Sequence, residues 1–68
     1  MKLEWTDGFV IGTRLDGGAI VISANREGLL SLSAQLAALA GEPRGNHIHY
    51  DAANSLEEGS AELIVEKI

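Results

Sequence analysis

The chain has 68 residues, no cysteine, and ten acidic against five basic residues, which gives a net charge of −5 at pH 7. This length predicts one domain over residues 1–68, and the absence of cysteine excludes a disulfide framework and thiolate catalysis. The acidic balance and the scattered basic residues argue against nucleic acid as a direct ligand, since phosphate binding needs clustered Lys and Arg.

No apolar stretch approaches the roughly 18 residues that predict a membrane-spanning helix. The N-terminal run MKLEWTDG also lacks an apolar stretch of signal-peptide length. We therefore expect a cytoplasmic protein without a membrane partner.

Three extended segments are predicted before the helix. Residues 1–6 alternate between apolar and polar side chains, as a half-buried strand does, and residues 9–15 form a weaker strand in which Gly12 suggests a bulge. The Asp-Gly-Gly run at 16–18 is a hairpin signal, because glycine supplies the positive φ that tight hairpin turns require. The apolar, β-branched run 19–23 favours a central strand, or one with a face used for association.

Residues 26–40 carry the strongest pattern in the chain and predict its single α-helix. Leucines recur at spacings of three and four, which places them on one stripe: Leu29, Leu32, Leu36 and Leu39. Asn25 is suited to cap the first turn and Gly41 to close the last one.

The leucine stripe also predicts which side of this helix is buried. We expect Leu32 and Leu36 at the centre of the core and Gln35 on the solvent side. Gly28 in the first turn should cost up to about 1 kcal/mol relative to alanine. Close approach of another backbone would explain a glycine at that position.

Two further strands are predicted after the helix. Residues 47–51 alternate between polar and apolar side chains, and residues 61–68 form the last strand. The connection 52–59 is polar and acidic. Its single large apolar residue, Leu56, is expected to pin it to the core.

This order of elements predicts an α+β fold, a small mixed or antiparallel β-sheet of four to five strands with a single α-helix at about 26–40 packed on one face. One helix covers only one face of such a sheet. The apolar residues on the other face of 19–23 and 63–65 would then meet water or a partner, so we predict self-association as a homodimer.

The group His47-x-His49-x-Asp51 suggests metal chemistry. On a strand, alternate residues share a face, so two imidazoles and a carboxylate would project together, and zinc accepts such ligands. A further ligand is not evident, with Glu57 and Glu58 the nearby candidates. The polar side of an amphipathic strand explains the same pattern, and we favour it. A small metal-binding protein is kept as the alternative function, and no cofactor is expected.

No catalytic constellation is found elsewhere in the sequence. No serine lies in a nucleophile-elbow context. The glycines at 17–18 precede a strand rather than a helix, unlike those of a phosphate-binding loop. The sequence therefore predicts a protein that is not an enzyme.

Three segments together resemble a known family. They are Asn25-x-Glu27-Gly28-Leu29, then His47-Ile48-His49-Tyr50-Asp51, then Leu56-Glu57-Glu58-Gly59-Ser60-Ala61-Glu62-Leu63. This pattern is similar to that of the small bacterial immunity proteins of the immunity protein 32 family, and the likeness spans about residues 23–67. The resemblance implies a cytoplasmic binding protein that neutralises the toxin domain of a polymorphic toxin system. It implies no catalytic residues.

The acidic segment from residue 51 to 62 is the predicted contact surface for such a toxin. It carries Asp51, Glu57, Glu58 and Glu62 and no Lys or Arg, so its local field is negative. Many nuclease toxins have basic substrate clefts, toward which a negative patch would be steered. A self-associating domain without a toxin partner is the remaining alternative.

Overall fold

The computed structural model describes all 68 residues and contains four strands and one helix. In chain order these are β1 (Ile11–Asp16), β2 (Ala19–Ala24), α1 (Arg26–Ala40), β3 (His47–Tyr50) and β4 (Leu63–Glu66). The α+β class and the single helix at 26–40 are confirmed. No helix has the length and apolarity needed to cross a membrane.

The strands form two antiparallel pairs, β1 with β2 and β3 with β4, rather than the predicted single sheet of four to five strands. The segment before β4 lies beside the second edge of β1. There the Glu57 N–H donates to Ile11 O at 2.9 Å, and the Ala61 N–H donates to Thr13 O at 3.2 Å. A turn at 58–59 separates these two bonds, so they join the two pairs without forming a continuous ladder.

Residues 1–6, predicted as a strand, form no regular element. Their backbone bonds to side chains of α1 instead of to a neighbouring strand. The Thr6 N–H donates to Ser31 Oγ at 2.8 Å, and Glu4 O accepts from Gln35 Nε2 at 2.8 Å. The alternating pattern of this segment reflects apolar side chains half-buried against the core, not strand pairing.

Three details of the predicted strands are also corrected. β1 begins at residue 11 rather than 9, and β4 covers Leu63–Glu66 rather than 61–68. Gly12 makes no bulge, because it pairs in register with Ser23. β2 is an edge strand and not a central one, and its Ile20 is 70% exposed.

The start of α1 is fixed by Asn25, as predicted. Its Oδ1 accepts from the Gly28 N–H at 2.8 Å and from the Val10 N–H at 3.0 Å. Its Nδ2 donates to Gly8 O at 3.0 Å. One side chain thus caps the helix and ties it to the segment that leads into β1.

The core lies between α1 and the strand pairs. Its buried apolar side chains are Ile11, Leu32, Leu39, Ile48, Tyr50 and Leu56. Leu56 is 5% exposed, which confirms that it pins the acidic connection to the core.

The buried side of α1 differs from the predicted leucine stripe. Its buried residues are Gly28, Ser31, Leu32, Gln35 and Leu39. Leu36 is 43% exposed, whereas Gln35 is 1% exposed. The prediction that Leu36 is central to the core and Gln35 faces solvent is therefore wrong.

Gln35 is buried because both ends of its amide have partners. Its Nε2 donates to Glu4 O, and its Oε1 accepts from the Tyr50 hydroxyl, each at 2.8 Å. A buried polar group that keeps its hydrogen bonds avoids most of the desolvation penalty. These two bonds favour the orientation of α1 that turns Gln35 toward the core and Leu36 toward solvent.

Burial raises the pKa of the Tyr50 hydroxyl above its ordinary value of 10.0. The folded chain keeps this proton at a pH where the unfolded chain loses it. The protonated hydroxyl therefore makes its whole contribution to the free energy of unfolding below about pH 10, and this contribution is lost as the pH rises through the folded pKa. We expect the urea midpoint of the wild-type chain to fall between about pH 9 and about pH 11 by more than that of Tyr50→Phe. An identical fall in both proteins would contradict this role for Tyr50.

Candidate functional site

The acidic connection, residues 51–62, links the end of β3 to the start of β4. It carries the four carboxylates predicted to contact a partner, Asp51, Glu57, Glu58 and Glu62. The last three are exposed and the first is half-buried. Both ion pairs of the structure lie elsewhere, one between the N-terminus and Glu42 and one between Arg26 and Glu27. The negative charge of the acidic connection is therefore not neutralised by any ion pair.

Asp51 shapes the loop rather than presenting a free carboxylate. Its Oδ1 accepts from the Ala53 N–H at 2.9 Å and from the Asn54 N–H at 3.0 Å. Its backbone carbonyl accepts from the N–H groups of Asn54, Ser55 and Leu56. An aspartate that bonds the backbone two and three residues ahead stabilises a turn. Among the four predicted residues, Asp51 therefore has the clearest structural role.

Two anchors hold the rest of the acidic connection in place. Leu56 is buried in the core, and directly after it the backbone of Glu57 bonds to β1. Three residues later, Ser60 Oγ accepts from the Thr13 N–H at 3.2 Å, and the Thr13 hydroxyl donates to Ala61 O. The exposed glutamates between these anchors are carried on a fixed backbone, which lowers the ordering cost of binding.

A groove of about 220 Å³ opens beside Glu62, between the β1–β2 hairpin and β4. Its apolar lining comes from Leu15, Ile20, Ala61, Leu63 and Ile64. This volume is below the range of about 300–1,000 Å³ that is common for small-molecule sites. The groove places exposed apolar surface next to the acidic connection, a combination found where proteins bind proteins.

Sequence reasoning did not find this groove. Its walls come from residues 13–15 and 61–64, which are far apart in the chain and meet only through the bonds between β1 and the acidic connection. No local pattern indicates that proximity. The apolar runs that supply the walls were predicted, but only as strands.

The structure does not assemble His47, His49 and Asp51, the residues of the metal-binding alternative, into one group of ligands. The two imidazoles share the exposed side of β3, with ring centroids 4.9 Å apart. Asp51 follows the strand and turns into the loop, where backbone N–H groups bond its Oδ1. No group of three or more His, Cys, Asp or Glu side chains is placed to hold a metal ion.

Comparison with known proteins assigns the chain to a family. The family model described as Immunity protein 32 matches residues 19–68, which include β2, α1, β3, β4 and the whole acidic connection. No curated protein and no solved structure matches the chain. The matched region is well over half of the chain and contains all three segments that carry the resemblance described above. The chain belongs to the Immunity protein 32 family.

Proposed function

We propose that this chain binds the toxin domain of a polymorphic toxin system and neutralises it in the bacterial cytoplasm. Membership of the Immunity protein 32 family is the observation that carries this proposal. The net charge of −5 and the exposed acidic connection are what a basic protein partner would recognise. In this proposal the chain acts by stoichiometric binding and not as an enzyme.

Co-expression with the toxin domain of the neighbouring upstream gene tests the proposal. The chain should restore growth to a bacterial host that produces the toxin domain, and the two proteins should copurify at a fixed ratio. Leu32→Ala, which removes a core side chain, serves as the folding-defective control. Absence of protection by a folded and abundant wild-type chain would contradict the proposal. Protection without complex formation would contradict binding as its mechanism.

The contact surface in this proposal is the exposed part of the acidic connection. Glu57, Glu58 and Glu62 supply its negative charge, and the turn built by Asp51 holds its shape. The groove beside Glu62 adds apolar surface that a toxin side chain would fill. Charge would accelerate the encounter, and the groove would slow dissociation.

The double variant Glu57→Lys/Glu58→Lys should stay folded and associate more slowly with the toxin domain. Both side chains are exposed, and the change replaces two negative charges by two positive ones. We expect the association rate at low salt to fall by about tenfold or more, with a weaker dependence on salt concentration. Stopped-flow association at two ionic strengths measures both effects.

Glu4→Lys/Glu66→Lys is the matched control for that experiment. These two glutamates are also exposed, and the net charge changes by the same amount, but neither lies in the acidic connection. A clearly smaller loss of association rate in the control is expected. Equal slowing in both variants, or no slowing in either, would place the contact surface elsewhere.

Self-association as a homodimer stays a prediction alongside the toxin-binding role. Many large apolar side chains are exposed, which supports it: Leu15, Ile20, Ile22, Leu29, Leu30, Leu36 and Ile64. They lie on the strands and on the outward side of α1.

A further inference from the structure

The outward side of α1 carries no charge beyond its first turn. All residues from 29 to 40 are uncharged, and those exposed to solvent are Leu29, Leu30, Ser33, Ala34, Leu36, Ala37, Ala38 and Ala40. The solvent side of a surface helix usually carries charged and polar residues. In a chain with 22% charged residues, this side of α1 is more typical of a covered surface than of a solvated one.

The leucines on this side leave much of their apolar surface in water. Leu29 is 56% exposed, and Leu30 and Leu36 are each 43% exposed. Contact with another apolar surface would remove this unfavourable hydration. We propose that a second copy of this chain covers the outward side of α1, in a symmetric dimer whose two α1 helices pack antiparallel.

The arrangement of residues around Ser33 is self-complementary. At 3.6 residues per turn, Ser33 lies midway between the exposed leucines of the outward side, with Leu29 and Leu36 on one flank. Leu30 and Ala37 lie on the other flank. With a two-fold axis at Ser33, Leu29 of each copy lies beside Leu36 of the other copy. On the second flank Leu30 packs over Ala37, so a large side chain meets a small one, as an isologous interface requires.

Charge supports the antiparallel orientation and the choice of a second copy. The last turn of α1 contains no basic residue, so the negative end of the helix dipole is uncompensated there. Arg26, in the first turn of the outward side, has a side chain that is 79% exposed and forms its one ion pair with Glu27, at 3.8 Å. Antiparallel packing about Ser33 brings Arg26 of each copy to the last turn of the other. The outward side of α1 thus supplies both the positive charge, at Arg26, and the negative helix end that it would contact in the other copy.

A cysteine at position 33 tests this geometry, because the chain has no cysteine of its own. Packed helices lie about 8–10 Å apart with Cα atoms about 2.3 Å from each axis, so two residues on the two-fold axis have Cα atoms about 3.5–5.5 Å apart. Disulfides span about 4.4–6.8 Å between Cα atoms. With oxidised glutathione as oxidant, Ser33→Cys should form a covalent dimer about tenfold faster than the hairpin variant Leu15→Cys. Equal rates for the two variants would overturn the proposed interface.

Sedimentation equilibrium of the chain alone provides the second test and does not involve a toxin. We expect the wild-type chain to be dimeric at high micromolar concentration and Leu29→Glu to be monomeric. Leu15→Glu is the matched control, since Leu15 is 71% exposed on the hairpin, and it should stay dimeric. Circular dichroism of each variant checks the fold. A monomeric wild-type chain, or a dimer lost in Leu15→Glu and kept in Leu29→Glu, would overturn the proposal.

Discussion

Alanine at position 32 or 35 should destabilise the fold strongly, whereas alanine at position 36 should not. Leu32 is 8% exposed in the core, and truncating such a leucine costs about 2–5 kcal/mol. Gln35→Ala leaves the buried Tyr50 hydroxyl without its partner, at about 1–3 kcal/mol, and also removes the hydrogen bond to Glu4 O. Either loss is comparable with the whole stability of a small domain.

Urea unfolding at low micromolar concentration, where association contributes least, measures these differences. Leu36→Ala is the control, because Leu36 is 43% exposed and its truncation should cost less than about 1 kcal/mol. The expected order of midpoints is therefore Leu36→Ala near wild type, with Leu32→Ala and Gln35→Ala far below. A midpoint for Leu36→Ala below that of Gln35→Ala would mean that the leucine stripe is the true buried side of α1.

Gly28→Ala should also destabilise the chain, although alanine has a higher helix propensity than glycine. In an ordinary helix interior this change gains about 1 kcal/mol. Here an added Cβ would lie 2.5 Å from Val10 O and 2.9 Å from Ile11 Cγ1. Val10 O is a backbone atom that cannot rotate away, and the same residue donates its N–H to Asn25. We expect a net loss of about 1–3 kcal/mol from overpacking.

Thermal unfolding of Gly28→Ala beside Ser33→Ala, at low micromolar concentration where association contributes least, measures this effect. Ser33 is an exposed position of the same helix, so Ser33→Ala should leave the midpoint unchanged or raise it slightly. A higher midpoint for Gly28→Ala than for wild type would contradict the close contact between α1 and the segment before β1.

The elements that could be predicted depend on local chemistry. The bounds of α1 follow from leucine spacing and from a capping asparagine, Asn25, which acts within one turn. The hairpin turn follows from two adjacent glycines, and both have positive φ, at 55° for Gly17 and 89° for Gly18. The burial of Leu56 follows because it is the single large apolar residue in a polar segment.

The buried side of α1 could not be predicted in the same way. Leucine spacing alone favours the row through Leu29 and Leu36, whereas the fold buries the row through Ser31 and Gln35. The deciding bonds come from residues 1–6, which are about thirty positions away in the chain. A polar residue is buried here because a distant backbone group meets it, and no local pattern contains that information.

The candidate site also combines features that could be predicted from the sequence with features that could not. The exposed glutamates and the negative field of residues 51–62 could be predicted from composition. The turn held by Asp51 needs backbone N–H groups to converge on one carboxylate oxygen, which depends on three-dimensional geometry. The same turn uses the Asp51 carboxylate for backbone bonds, so the three residues of the His-x-His-x-Asp pattern do not form one group of ligands.

Hydrogen exchange of the chain, free and bound to its toxin domain, tests the proposed binding role most directly. Backbone amides exchange more slowly where a partner excludes water or suppresses local opening. With the acidic connection as the contact surface, residues 51–62 and the adjoining start of β4 should exchange more slowly in the complex than in the free chain. The amides of α1 and β2 should exchange at the same rate in both. Absence of a complex, or slowed exchange confined to α1 or β2, would contradict it.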